Sequence, residues 1–309
     1  MQWMILILIL LAAVALIALG FAAGLFCYAF GASRRSVDKV FRDRERDPAP
    51  TVRMRFHTRD YMNALPHDTL FLTAPDGPKL AARFFPNGKT KRVAVILHGW
   101  HSRPWWDFGK AFDLVYDAGF AVLAVAQRAQ GDSEGRCLTY GVKESEDLLR
   151  WIDLLLTRYG EDLSIAIMGV SMGAATVLCA TGKALPKQVK CAVSDCSFTS
   201  AAEEFIVTSK GAFRLIQPLA ALLVRVFARI RLKDASPLEA VKRSKTPTLF
   251  VHGDADDFVP YAMMNSLYDA CAAPEKERWT SPGAVHAEAA MHNPDAYAAH
   301  VIPWLNRHL

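Results

Sequence analysis

From Trp3 to Phe30 the chain reads WMILILILLAAVALIALGFAAGLFCYAF, an apolar run without a single charge. It exceeds the ~20 residues a helix needs to cross a bilayer, and predicts one transmembrane helix. A cleaved secretory signal has a positive segment before a shorter apolar core; only Met1 and Gln2 precede this run, which is expected to be an uncleaved anchor. From Asp68 onward the pattern changes, and short apolar runs alternate with amphipathic ones, as in a mostly parallel sheet covered by helices. DTLFLTA and KLAARFFP flank the turn PDGP and predict an opening antiparallel hairpin. RVAVILHG, FAVLAVAQR, LSIAIMGVS, VKCAVSDCS and TPTLFVHG are rich in Val, Ile and Leu without strict alternation, as strands buried on both faces are. Between them, KESEDLLRWIDLLLTRYG puts Leu148, Trp151, Ile152 and Leu155 on one stripe of a helix that ends at Gly160. Phe198 to Ala235 breaks the alternation: it is helical in period, contains Pro218 where a helix would start or bend, and predicts a helical cap inserted over the sheet edge.

The pattern divides the chain into an anchor over 1–31, a charged juxtamembrane linker over 32–66 and an α/β domain over 67–309, with the cap at about 198–235. With 52% hydrophobic residues in 309, the core is ample and wholesale disorder is excluded. The excess of basic over acidic residues, 36 − 31 = 5, is concentrated in Arg34, Arg35, Lys39, Arg42, Arg44 and Arg46, so the basic balance does not point to nucleic acid. Six basic residues after the anchor and none before it place the C-terminal side in the cytoplasm by the positive-inside rule. The same cluster either touches anionic headgroups or serves only as a stop-transfer flank. Cys27, Cys137, Cys179, Cys191, Cys196 and Cys271 form no CxxC or Cys/His pattern for zinc, and read as free thiols of a reducing compartment.

Gly169-Val170-Ser171-Met172-Gly173 matches G-x-S-x-G, with a buried strand before it and an Ala-rich helix after it. In such an elbow the serine takes strained backbone angles, and the flanking glycines let the chain pass without Cβ clashes. The hydroxyl is then presented where the helix's first amides favour a developing oxyanion. A serine needs a base to take its proton, so an acid and a histidine are expected after it. LFVHGDADDFVP offers Asp254, Asp256 and Asp257, and TSPGAVHAEA offers His286. His98 and His252 read as loop supports, and His292, His300 and His308 as surface or packing residues of a last helix.

Over about Asp68 to the C-terminus the chain resembles the α/β-hydrolase superfamily, and looks most like its membrane-anchored bacterial branch related to serine-aminopeptidase-like and monoacylglycerol-lipase-like hydrolases. The resemblance is carried by LHGW at Leu97–Trp100, QRAQGDSEG at Gln127–Gly135, YGVKESEDLLRWI at Tyr140–Ile152, the elbow, SDCSFTS at Ser194–Ser200, HGDADDFVP at His252–Pro260, and His286. It implies a mostly parallel eight-stranded sheet with helices on both faces. It also implies a triad of Ser171, Asp256 and His286, because the family's H-G-x-x-D-x-x-V-P places its aspartate on Asp256 rather than Asp254 or Asp257. Its oxyanion donors fall on the backbone N–H groups of Trp100 and Met172. One departure stands out: Gln130 occupies the place where relatives often carry Gly or His, in a region that shapes the pocket.

The mechanism so implied is acyl transfer to water, with neither metal nor organic cofactor. Trp105 and Trp106 either line an acyl groove with Phe198, Leu219 and Leu222 or pack the first helix of the domain onto the sheet. Phe213 to Leu232 mixes apolar residues with Arg214, Arg225, Arg229 and Arg231, which suits either a helix in the headgroup plane or a buried cap. Three functions remain open: a membrane-anchored carboxylic-ester hydrolase acting on a small-molecule ester or acylated substrate, a serine peptidase on small peptides for which Glu203 and Glu204 offer an acid to an amino terminus, and a catalytically silent scaffold.

Overall fold

The computed structural model describes residues 2–33, 41, 44–45 and 49–309. Most of the charged cluster read as a linker flank lies outside them. Among the described residues, α1 (Gln2–Phe30) and α2 (Pro50–Ala64) precede the domain. Then follow β1 (Asp68–Thr73), β2 (Lys79–Phe85), β3 (Arg92–Leu97), α3 (Pro104–Phe108), α4 (Lys110–Asp117), β4 (Ala121–Ala126), α5 (Val142–Tyr159), β5 (Ser164–Val170), α6 (Met172–Thr181) and β6 (Val189–Asp195). The cap comprises α7 (Ala201–Thr208), α8 (Phe213–Leu223), a π-turn over Val224–Ala228 and a short turn at Leu232–Asp234. The chain closes with α9 (Pro237–Val241), β7 (Thr248–Gly253), α10 (Ala262–Ala270), β8 (Lys276–Ser281), α11 (Ala289–His292) and α12 (Pro294–His308).

The eight strands form one sheet in the order β1-β2-β4-β3-β5-β6-β7-β8, antiparallel at β1/β2 and β2/β4 and parallel beyond. This is the α/β-hydrolase fold, and its parallel strands are buried on both faces as their unbroken Val/Ile/Leu runs require. One face packs on α5, whose Leu148, Trp151, Ile152 and Leu155 are fully buried. The other packs on α4 and α12 through Phe112, Val115, Val301 and Trp304. Pro218 sits inside α8 and does not begin it.

Two parts of the chain ahead of the sheet depart from the expected division. The segment read as linker contains α2, which buries Val52, Arg55, Thr58 and Met62 at helical spacing. The apolar run is a 29-residue uncharged helix, α1, with most of its leucines and isoleucines exposed. Among the described side chains, which omit positions 11, 14, 15 and 18, no helix is long and apolar enough to cross a membrane. A membrane-spanning segment is therefore not shown, and the helix's last turns have a further role. Phe26 and Phe30 stack at 5.3 Å, Phe30 meets Tyr140 and Phe205, and the Ala29 carbonyl accepts hydrogen bonds from Trp100 Nε1 (2.9 Å) and the Tyr140 hydroxyl (2.7 Å). The Leu138 N–H donates to Phe30 O at 2.7 Å, so the end of α1 is part of the domain's surface at the carboxyl edge of the sheet.

Candidate active site

β5 ends at Val170 and α6 begins at Met172, which leaves Ser171 alone at the turn with φ 56° and ψ −118°. A side chain rarely takes this conformation, and it persists only where the surroundings over-determine it. The glycines on either side do so. A Cβ at Gly169 would lie 2.2 Å from the Gly173 carbonyl oxygen, and one at Gly173 would lie 1.9 Å from the carbonyl oxygen of Leu97. The Ser171 N–H donates to Asp195 O at 2.9 Å, pinning the elbow to β6. Ser171 is buried, 7% exposed.

The three residues expected to act together are together. His286 Nε2 lies 2.9 Å from Ser171 Oγ and its Nδ1 lies 2.7 Å from Asp256 Oδ2. A carboxylate only accepts, so Nδ1 carries the proton and Nε2 is left to accept from the serine hydroxyl. The other carboxylate oxygen of Asp256 accepts from the N–H groups of Phe258 (3.0 Å) and Val259 (2.8 Å). Burial alone would raise this carboxyl, but hydrogen bonds from His252 and His286 outweigh it and hold Asp256 well below the usual carboxylate range. Asp254 instead accepts from the Gly283 N–H at 2.6 Å, and Asp257 is exposed.

His252 is more than a loop support. Its Nε2 is 2.9 Å from Val259 O and 3.2 Å from Asp256 Oδ2, so Asp256 is shared by two imidazoles. Below it, burial and the charge of Asp256 push the Asp195 carboxyl up to about 7. The Cys196 thiol lies within 4.8 Å of the ligand atoms of Asp256 and His286, and burial, then the charges of Asp195 and Asp256, push it well above the usual thiol range.

The loop after β3 is braced by Asp107, which no sequence pattern marked, and by His98, the loop support expected there. Asp107 Oδ2 accepts from the Gly99 N–H at 2.5 Å and its Oδ1 from the Ser102 hydroxyl at 2.7 Å. His98 is neutral, since burial lowers it to about 3; its Nδ1 donates to Gly99 O and its Nε2 accepts from the Gln127 N–H. Gln130, the departure from the family pattern, accepts from the Ser102 N–H at 3.2 Å and so supports the same loop. Gly99 leaves no room for a side chain, because a Cβ there would be 2.8 Å from Asp107 and 3.2 Å from the Ser171 Cβ. On the opposite flank Arg55 of α2 donates to Ala287 O and Glu288, steadying the turn that carries His286.

Gly99, the chain neighbour of Trp100, lies against Ser171, and Met172 is the first residue of α6, whose N–H lies outside the helix ladder. Phe198 is buried with Met172, Val259 and Met263 in one apolar cluster against the cap. The other four residues expected to line a pocket do not share that place. Trp105 and Trp106 pack edge-on or tilted against Phe41, Phe56 and each other, and Arg55 lies 4.8 Å over the Trp106 ring, so the packing alternative holds once α2 is present. Leu222 points outward, 57% exposed, and Leu219 is half-buried. Among the described residues Cys179, Cys191, Cys196 and Cys271 are buried free thiols, while Cys27 is exposed on α1.

Comparison with known proteins agrees with this geometry. A profile of the prolyl oligopeptidase family matches residues 106–309. The YqkD protein of Bacillus subtilis, itself uncharacterised, is 28% identical over 201 residues, 64% of this chain and 66% of that protein, so the chain spans just under two thirds of this relative's length. Among solved structures, the esterase Pf2001 of Pyrococcus furiosus superposes with a TM-score of 0.67 at 23% identity, covering 80% of this chain and 93% of the esterase. Est1E of Butyrivibrio proteoclasticus, solved with ferulic acid bound, gives 0.62 at 20% identity over 77% and 98%. The acylaminoacyl peptidase of Pyrococcus horikoshii gives 0.59 at 17% identity over 82% of this chain and 43% of the peptidase. The superfamily resemblance thus holds. With its elbow serine and two thirds of its length inside the match, the chain belongs to the prolyl oligopeptidase family of serine hydrolases.

Proposed function

We propose that the protein is a membrane-anchored carboxylic-ester hydrolase working through an acyl-enzyme on Ser171. The observation that carries this reading is the unbroken hydrogen-bond series from Ser171 Oγ through His286 to Asp256, 2.9 and 2.7 Å long, at a strained strand-to-helix turn. His286 Nε2 takes the hydroxyl proton as Oγ attacks the ester carbonyl, and the N–H groups of Met172 and Trp100 stabilise the oxyanion. The imidazolium returns its proton to the leaving alkoxide, the ester bond breaks, and a water deprotonated by His286 then releases the acid and restores Ser171. Asp256 keeps the proton on Nδ1 and stabilises the cation that forms. Anchoring is supported by α1, whose 29 uncharged residues extend over roughly 43 Å at ~1.5 Å per residue. Basic residues from Arg34 to Arg46 support a cytoplasmic hydrolase domain, and a C-terminal tag reachable from outside intact cells would overturn that orientation.

The test is labelling of the full chain in detergent by a fluorophosphonate, followed by p-nitrophenyl esters of increasing acyl length against aminoacyl amides. Labelling of the wild type that is lost in His286→Ala, with esters turned over faster than amides, is expected. A folded wild type that neither labels nor hydrolyses esters would leave a silent scaffold.

One observation favours a second reading, a serine peptidase on small peptides. Glu204 in α7 is buried, and neither carboxylate oxygen has a hydrogen-bond partner among the described residues. Burial, then repulsion by Asp256, pushes its carboxyl up to about 8, a state that an ammonium group would reverse. Glu203 is engaged otherwise, accepting from the Thr199 hydroxyl at 2.6 Å. The raised value also predicts a pH effect. The folded chain holds a proton that the unfolded chain releases near pH 4.3, so this group's contribution is intact below about pH 4.3 and lost as pH rises to about 8. Glu204→Gln is therefore expected to match wild type near pH 4 and to be more stable at pH 8 by on the order of 2–4 kcal/mol, read from urea midpoints at the two pH values.

Trp100→Phe keeps a ring against Tyr28 but loses the hydrogen bond to Ala29 O, loosening the donor loop without removing the donor. Loss of a whole oxyanion donor costs roughly 100-fold or more, so a misaimed one is expected to lower kcat about 3- to 10-fold with KM nearly unchanged, in steady-state ester hydrolysis.

A further inference from the structure

Exposed large hydrophobic side chains are not scattered over this domain. Outside α1, eight occur among the described residues; five lie on the cap, including Leu215, Leu222, Val226 and Phe227, and two, Phe258 and Val285, flank the catalytic histidine. Leu215 is 87% exposed, and the Phe258 ring stands 4.9 Å from that of His286. The eighth, Phe71, stands apart on β1; scattered single hydrophobics need no explanation, but seven gathered on the cap and beside the catalytic histidine mark an interaction surface.

Its position identifies the partner. α1 ends on the same rim: Phe26 packs on Phe227 of the π-turn at 5.6 Å, and Tyr28 packs on Trp100 at 5.2 Å. The exposed apolar face of α1 therefore runs directly into the exposed apolar face of the cap. Leu215, Leu222 and Val226 recur at helical spacing, and Arg214, Arg225 and Arg229 form the stripe beside them, each exposed. No carboxylate among the described residues pairs with these three arginines, whereas Arg231 is paired with Asp234 at 2.8 Å. An apolar stripe bordered by unpaired cations matches an acyl region bordered by anionic headgroups. A soluble protein partner would match the stripe equally well but would have no reason to be continuous with α1.

We propose that the rim of the catalytic cleft is an interfacial surface that seats in an anionic bilayer, so that an ester dissolved in the lipid phase reaches Ser171 without crossing water. This rests on the reading of α1 as an anchor and adds to it where the cleft opens. An anchor alone leaves the mouth free to face any direction; the clamp of Ala29 and Phe30 on Trp100, Tyr140 and Leu138 fixes it beside the membrane. The substrate class that follows is a long-chain ester that partitions into the bilayer.

The experiment uses the full chain in vesicles of phosphatidylcholine, alone or with phosphatidylglycerol. Wild type is compared with Leu215→Glu/Val226→Glu and with Arg214→Gln/Arg225→Gln/Arg229→Gln. Three quantities are read: flotation with the vesicles, hydrolysis of a fluorogenic long-chain ester in the bilayer, and hydrolysis of water-soluble p-nitrophenyl acetate. All three proteins are expected to float, because α1 is intact, and to hydrolyse the soluble ester alike. The glutamate pair is expected to hydrolyse the bilayer ester at least about tenfold more slowly, and the glutamine triple to lose the gain given by phosphatidylglycerol. A wild type that floats, with variants that hydrolyse both esters as it does, would overturn the interfacial rim and leave the anchor standing. A wild type that does not float would overturn both. Equal loss on the two esters would mean the rim only supports the fold, and a wild-type dimer that the glutamate pair disperses would assign the rim to a second copy of the chain.

Discussion

Replacing Ser171 by alanine is expected to lower kcat for ester hydrolysis by a factor on the order of 10⁶, with the fold intact. The size follows from how the triad residues act as one unit: without Oγ there is nothing for His286 to deprotonate, and the 2.9 Å contact to Nε2 loses its partner. Structural cost is small, because the substitution removes one oxygen and leaves the backbone at φ 56°, a conformation set by Gly169, Gly173 and the Ser171 N–H bond to Asp195 rather than by the hydroxyl. The Tm should move by no more than a few degrees. Residual activity of roughly 10³-fold over water is expected from the oxyanion donors and binding, provided traces of wild type are excluded by titration with the fluorophosphonate. A loss smaller than about tenfold, or labelling that persists, would remove Ser171 from the chemistry.

What the sequence made legible, and what it hid, divides by the range of the interaction involved. Buried strands announce themselves because both faces are apolar, and the elbow does because Gly169 answers to a contact within the same turn, with Gly173, whereas the close approach of Gly173 to Leu97 joins segments far apart in the chain and shows only in the fold. The three aspartates after β7 could not be told apart by local pattern; the family pattern chose Asp256, and only its carboxylate turns toward His286, while Asp254 turns to Gly283. Asp107 and Gln127 were passed over because their role exists only when a helix start and a strand end are folded against the loop after β3. The tryptophans at 105 and 106 were ambiguous for a related reason: their ring partner Phe56 and the covering Arg55 belong to α2, a helix whose charged composition resembles a linker and whose buried stripe, Val52, Arg55, Thr58 and Met62, includes an arginine. Leu222 was placed in a pocket because helical period gives a stripe without saying which stripe faces the domain. The end of α1 was hidden by uniform hydrophobicity, since a residue facing lipid and one packed on protein look the same when all are apolar; Phe26 and Phe30, one helical turn apart, were the available sign.

Asp256→Asn is expected to cost about 10⁴-fold in kcat, with Asp254→Asn and Asp257→Asn near wild type, in parallel ester assays. The carboxylate accepts four hydrogen bonds: His286 Nδ1 and His252 Nε2 on Oδ2, and the N–H groups of Phe258 and Val259 on Oδ1. An asparagine has one accepting oxygen and a donating NH₂, so no rotation satisfies both sides. With NH₂ toward His286, the imidazole must accept at Nδ1 and carry its proton on Nε2, where it cannot take one from Ser171. With the oxygen toward His286, NH₂ faces two N–H donors and the turn that presents the acid is strained. The substitution therefore loses stability as well as rate, and the two losses separate by pH. In wild type the Asp256 carboxyl is held low by the two imidazoles after they overcome its burial, so its stabilising contribution is present above about pH 4 and lost as pH falls through its folded value. Asp256→Asn removes that acid-side loss and keeps its kinetic defect at every pH. Asp254 needs only one accepting oxygen for Gly283, which asparagine supplies. If Asp254→Asn were the inactive protein instead, the hydrogen bond between Asp256 and His286 would not be the one that orients the base.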